Sequence, residues 1–258
     1  RTYLIQIKMT QWPILNNPPV VVAMFQLKFD MDNVKLEDFL NFDQSLRHDL
    51  TERNDNFQAS ISIPNTASIP LGKSKVTGET DARRIGYEYF SKEQKRKLSI
   101  NEGAITYIDE TPYQGWDSFK DKILKYLKIL EPILRETTVL RTSIRFINQF
   151  KFEKFDDPTE YFDTLVTAIS DDGIFAHPVM KYGFQMSLEM GDSVISHVKQ
   201  SAEKISDNIV YAFDIDVLDY NNLIFNVDSI DTTLDGLRCY KNDIFFKNLT
   251  PKTLALCN

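Results

Sequence analysis

Between Val139 and Phe150 the chain reads VLRTSIRFINQF, and strand alternation there sends Arg141, Ser143 and Arg145 to one face and Leu140, Ile144 and Phe146 to the other. Two arginines on one face of an apolar strand need anionic partners. A later strand, IVYAFDIDVLD, offers them: Asp214 and Asp216 share one of its faces while Tyr211, Phe213, Ile215 and Val217 share the other. Arg141, Arg145, Asp214 and Asp216 are therefore the ion-pair or interface candidates. Their pairing ties the first half of the chain to the second.

The remaining pattern fills in around these two strands. Pro18 and Pro19 delimit an apolar strand over about 20–29. Leu36, Phe39, Leu40, Leu46 and Leu50 recur at near-helical spacing behind Asp32 or Asn33, which predicts a helix over about 34–51. NFQASISI alternates as a strand, and PNTASIPLGKSKVTGET carries Pro, Gly, Ser and Thr without a period, as a long loop does. RRIGYEYF and RKLSINEGAITYIDE read as two or three antiparallel strands joined at SKEQK. In YQGWDSFKDKILKYLKILEPILRE, the residues Phe119, Ile123, Leu127, Leu130 and Leu134 form an inward stripe, with Asp117 placed to cap the helix. With the Arg141/Arg145 strand, residues 9–150 follow a β-α-β-β-α-β order, the ferredoxin-like arrangement. Met9 is read as a natural start, and residues 1–8 are set aside as an upstream extension.

Residues 151–258 form the second half. DDPTEYFDTLVTAIS predicts a helix with Pro158 at its first position. VMKYGFQMSLEM alternates throughout, placing Met180, Tyr182, Phe184, Met186, Leu188 and Met190 on a face expected to be buried, and VISHVK and the DID strand complete a meander. Ile230, Leu234, Leu237, Tyr240 or Lys241, and Ile244 mark a helix over about 228–247, after which Thr250 and Pro251 start a last turn. No internal repeat stands out from sequence identity. The fold class is α+β: two antiparallel-sheet halves packed together, the first ferredoxin-like and the second a β-meander flanked by helices.

Charge separates the halves more sharply than pattern does. Residues 1–150 are net +2 and residues 151–258 net −9, so an acidic second half would repel a phosphate backbone and any nucleic-acid role rests on the first. No run of about 18 apolar residues predicts a membrane span, and no signal peptide is indicated. Cys239 and Cys257 have neither metal spacing nor a disulfide framework, which fits a reducing cytoplasm.

Few residues suggest chemistry. Asp214, Asp216 and Asp219 could offer hard oxygens to a divalent cation, but no HxH, HExxH or Glu-rich helix accompanies them, and pairing with arginine is the ordinary role of such aspartates. His48, His177 and His197 lie far apart; only His197 falls on a predicted strand, near Glu189, Asp192 and Ser196, and it reads as a surface histidine. LGKS at Leu71–Ser74 resembles the tail of a phosphate-binding loop, yet Ala67 stands where its first glycine belongs. Lys92, Lys95, Arg96 and Lys97 with Arg83, Arg84, Tyr87 and Tyr89 form the one basic, aromatic-interleaved region, diluted by Glu88 and Glu93, and of these Arg84, Tyr87, Lys95, Arg96 and Lys97 are the nucleic-acid candidates of the basic hairpin. Tyr113 and Trp116, before and at the entry of the long helix, are partner-pocket candidates whose ordinary role is a hydrophobic staple. No catalytic residue, metal site or cofactor is assigned.

The stretches NPPVVVAMFQLKF, YQGWDSF, VLRTSIRFIN, FDIDV and LDGLRCYKNDIFFKNLT, which together span most of the chain, resemble a family of uncharacterised proteins scattered sporadically among bacteria and archaea. That patchy distribution implies genes carried in mobile or defence islands. The resemblance carries over no activity and no catalytic residue. The expectation is a cytoplasmic, non-catalytic interaction or sensing component that binds a protein partner, with a mobile or antiviral defence system as the setting the resemblance implies. The alternative is an RNA-binding or RNA-cleaving protein using the basic hairpin. A homo-oligomer is also open, and no membrane role is expected.

Overall fold

A computed structural model describes residues 12–61, 80–152, 160–163, 181–191, 193–206 and 208–258. The chain runs through β1 (Val20–Phe29), a 3-10 segment (Leu36–Phe42), α1 (Asp43–Arg47), β2 (Glu52–Ile61), β3 (Thr80–Ser91), β4 (Arg96–Asn101), β5 (Ala104–Asp109) and α2 (Trp116–Leu134). It continues with β6 (Thr138–Phe152), β7 (Lys181–Glu189), β8 (Val194–Ile205), β9 (Asn208–Asp219), β10 (Leu223–Ile224), α3 (Val227–Lys247) and α4 (Pro251–Leu256). The molecule is α+β, a large antiparallel sheet with a few helices.

The expectation of two sheets packed together gives way to a single sheet. Among the described residues its order is β2-β3-β4-β5-β1-β6-β9-β8-β7, with β10 added beside β6. The joint is β6, fifteen residues long, which pairs with β1 on one edge (Met24 opposite Arg145) and with β9 on the other (Arg145 opposite Asp216). A long strand with apolar residues along one face leaves no reason for an open edge, and each edge it pairs removes a row of unsatisfied amides. The order extends outward in both directions from the β1–β6 junction. On one side β1 is followed outward by β5, β4, β3 and β2, and on the other β6 is followed by β9, β8 and β7.

The ferredoxin-like order is also exceeded, since four strands, β2 to β5, stand between the first helical segment and α2 instead of two. The predicted 34–51 helix is a 3-10 turn followed by the short α1; Asp, Asn and His are frequent there, and only Leu36, Phe39 and Leu46 of these two elements are fully buried. Residue 115, not Asp117, occupies the N-cap of α2, as a glycine at φ 100 that side chains rarely adopt; Asp117 sits in the first turn.

One face of the sheet holds the core. Phe25, Leu27, Tyr107, Phe146, Phe213, Ile215 and Val217 are buried there under α2 and α3. Tyr107 lies against Tyr126 and Phe119 of α2 at ring separations of 5.4 and 5.9 Å. The apolar face of β7, expected to be buried, is only half-buried at Tyr182, Phe184, Met186 and Leu188, because β7 ends the strand order and has a neighbour on one side alone. The expected loop over 64–80 lies outside the described residues but for residue 80. Most of the helix predicted over 156–170, together with Leu71–Ser74, His177 and Met180, also lies outside them.

Candidate functional site

Where the N-terminal segment, the β5–α2 connection and α3 meet, they enclose a cavity of about 460 Å³. Each wall follows from local sequence. Pro18 and Pro19 stiffen the approach to β1, Gly115 turns the chain into α2 so that Tyr113 and Trp116 flank the opening, and α3 presents Arg238, Lys241, Asn242, Phe245 and Phe246. Trp12 stacks on Phe246 at 5.2 Å with the rings 7° from parallel. Trp116 is buried, and its indole N–H donates to Asp235 at 2.9 Å.

The polar groups of this cavity are under-used. Arg238 lies over the Trp116 ring at 5.5 Å, and the Lys241 ammonium sits 4.6 Å from the Phe146 ring centre and 5.8 Å from that of Phe245. Neither cation has an ion pair or hydrogen bond among the described residues. Asn242 is 5% exposed, and its side-chain amide likewise bonds to nothing there. Burial presses the Lys241 ammonium down from its ordinary range to about 7, and the neighbouring Arg238 charge adds to the effect. Burial also raises the Tyr113 hydroxyl, against the pull of Arg238. Among the described residues, Asp117 is the one carboxylate of the lining.

The cavity thus brings the two partner-pocket candidates, Tyr113 and Trp116, together with three α3 residues that sequence reasoning had not joined to them. A usable signal existed. Lys241 falls in phase with the apolar stripe Ile230, Leu234, Leu237 and Ile244, and Arg238, Lys241 and Asn242 stand at i, i+3 and i+4, one face of a helix.

The other face of the sheet carries the paired charges. Arg145 donates to Asp214 through Nε at 2.8 Å and through a terminal nitrogen at 2.6 Å, a bidentate pair between the neighbouring strands β6 and β9. Arg141 turns instead to the side-chain oxygen of Gln26 on β1. Asp216, with Arg145 already committed to Asp214, has its carboxyl raised by burial, although Arg145 pulls the other way. Across β9 and β8, Asp216 is opposite His197, whose Nδ1 meets the Ser187 hydroxyl of β7 at 2.8 Å. Asp219 is held locally, accepting from Ser193 and from the Asn221 amide. Among the described residues no group of three metal-binding side chains converges.

The hairpin candidates fare differently from their sequence reading. Tyr87 is fully buried on the helix-covered face, so its ring offers no platform for a base. Arg84 pairs with Asp55 at 3.0 Å, Lys97 with Glu88 at 3.1 Å, and Arg96 points inward to Asp109 at 3.5 Å. Lys95, in the turn at φ 48, is the one exposed cation of the four without an ion pair among the described residues. Among the described residues, local carboxylates therefore pair with Arg84, Arg96 and Lys97.

No helix of the described residues is long and apolar enough to cross a membrane. No family model matches the chain, and neither a curated protein nor a solved structure was found to match it. The likeness to the sporadically distributed family therefore rests on the sequence landmarks alone.

Proposed function

We propose that this protein is a non-catalytic interaction or sensing component that holds a protein partner through the cavity between the N-terminal segment, Tyr113, Trp116 and α3. The observation that carries the reading is the composition of the cavity. Trp12, Tyr113, Trp116 and Arg238 gather around one opening, and these residue types dominate the energetics of protein interfaces when they line a desolvated pocket. Ile14, 91% exposed, stands on the same rim as further apolar contact surface. The reading is of binding and not catalysis, because the cavity has cations and aromatics but no nucleophile held by a base. Ser187 and His197, the nearest approach to such a pair, lie away from it on the open face of the edge strands. The resemblance adds a setting, a cytoplasmic component of a mobile or defence-type gene island. The first half, in this reading, is an elaborated ferredoxin-like unit.

Affinity capture with the full chain tests the reading. Ile14→Asp alters an exposed rim residue and Ile224→Asp an exposed residue of β10, 62% accessible, away from the cavity. A partner held by the wild type and by Ile224→Asp is expected to be lost with Ile14→Asp. Equal capture by both variants would refute the cavity as the docking point.

A further inference from the structure

We propose that the cavity is an oxyanion site: Arg238, Lys241 and Asn242 receive a carboxylate or phosphate that the partner presents on an aromatic or apolar group. This rests on the cavity being the partner pocket, and it names the chemistry that enters.

The donors decide the sign of the ligand. Arg238 offers a planar fork of N–H groups, Lys241 an ammonium, Asn242 an amide and Tyr113 a hydroxyl, and none of these four has a hydrogen-bond or ion-pair partner among the described residues. Positions i, i+3 and i+4 bring the first three onto one face of α3, lining the same cavity. Asp117 lies within ion-pair distance of neither cation, so it does not already fill the role. The rings beneath Arg238 and Lys241 seat the two cations without cancelling their charge. A half-buried cation with no anion is still partly desolvated without compensation, which is the state expected of a site whose counter-charge arrives with the ligand. The depressed Lys241 ammonium is the same cost expressed as proton affinity.

Size and lining decide the body of the ligand. About 460 Å³ is far more than an oxyanion fills and falls in the range of pockets that enclose a small organic group. Trp12 stacked on Phe246, together with Trp116, supplies flat walls for that group.

Both tryptophans of the chain line the cavity, so intrinsic tryptophan fluorescence reports this site directly. The probes are N-acetyl-phenylalanine, phenyl phosphate and N-acetyl-phenylalanine amide, which separate carboxylate, phosphate and neutral heads on one ring. The expectation is saturable binding of at least one acid, with affinity at least about tenfold above that of the amide. Arg238→Met and Lys241→Met, which keep unbranched apolar stems in place, should each weaken the acid by about tenfold, with circular dichroism confirming the fold. An amide that binds as well as the acids, variants that bind them unchanged, or no response to either acid would overturn the proposal.

The two readings fail separately. Acid binding without an Ile14-dependent protein partner leaves the oxyanion site standing and removes the interaction reading. An Ile14-dependent partner captured equally by Arg238→Met and Lys241→Met, with no acid bound, does the reverse.

Discussion

Two cavities among the described residues invite comparison, and the larger of the two is the less informative. Beside α2, a space of about 790 Å³ is lined by His48, Asp49, Glu52, Lys92, Arg96, Lys122 and Lys125 among others. Every cation there has a carboxylate: Lys92 meets Glu52 at 2.8 Å, Lys125 pairs with Asp49, and Lys122 and Arg96 converge on Asp109 at 3.0 and 3.5 Å. Among the described residues, the two cations of the 460 Å³ cavity beside α3 have no ion pair, although α3 belongs to the acid-rich half with net charge −9. Volume does not distinguish a recognition site from a gap between charged side chains. Under the proposed reading, the distinguishing mark is unmatched charge held beneath aromatic walls.

Removing a matched group should therefore hurt and removing an unmatched one should help. Asp109 gives the largest expected effect. Its carboxylate is buried and accepts from the Tyr107 hydroxyl, Thr111 and Lys122. Asp109→Asn should cost about 3–5 kcal/mol in urea unfolding, since it strands two cations. Burial alone would raise this carboxyl, but the hydrogen bonds from Thr111 and Lys122 outweigh it and hold the group below its ordinary value. Its stabilisation is thus present above the ordinary carboxylate range and lost as the pH falls through the lower folded value. A variant as stable as the wild type at neutral pH would mean the matched network contributes nothing.

Arg145 on the open face is the intermediate case, since its side chain is 39% exposed. Arg145→Ala should destabilise by about 1–3 kcal/mol, and adding Asp214→Ala should recover part of the loss because the orphaned carboxylate goes with it. A double-mutant cycle with zero coupling would show that solvent screens the pair.

Lys241 should behave with the opposite sign. Its folded value of about 7 against an ordinary 10.5 means that the unfolded chain holds a proton the folded chain lacks between those limits. Stability should rise with pH from about 7 to about 10 on this account, and the penalty should be complete below 7. Lys241→Met should raise stability by about 1–2 kcal/mol at pH 6.5, with the gain shrinking toward pH 10. A loss at pH 6.5 would place Lys241 among the matched cations.

The sequence disclosed these features unevenly. The α2 stripe and the alternation of β9 are local patterns, and both correspond to buried faces: Phe119, Ile123, Leu127, Leu130 and Leu134 in one, Tyr211 to Val217 in the other. Whether strands from two halves stack as two sheets or join edge to edge depends on pairings more than sixty residues apart, such as Arg145 with Asp216, and alternation is the same in either case. The burial of Tyr87 was hidden for a related reason. A strand pattern says which residues share a face, and only the helix packed upon it says which face is covered. In the cavity, Tyr113 and Trp116 were conspicuous as aromatics at a helix entry, whereas Lys241 was read as an alternative to Tyr240 on an apolar stripe. That local conflict, a lysine at an inward position, was the visible trace of the site.

The most direct test of unmatched charge is the titration of Lys241 itself, followed by NMR at its side-chain Cε–Nζ group, with Lys120, which pairs with Asp231 and Asp235, as the matched reference in the same protein. The account predicts a Lys241 midpoint near 7 that moves upward when N-acetyl-phenylalanine is added, while Lys120, held above its ordinary value by Asp231 and Asp235, stays charged throughout that range. A Lys241 midpoint in the ordinary lysine range, indifferent to the added acid, would contradict it.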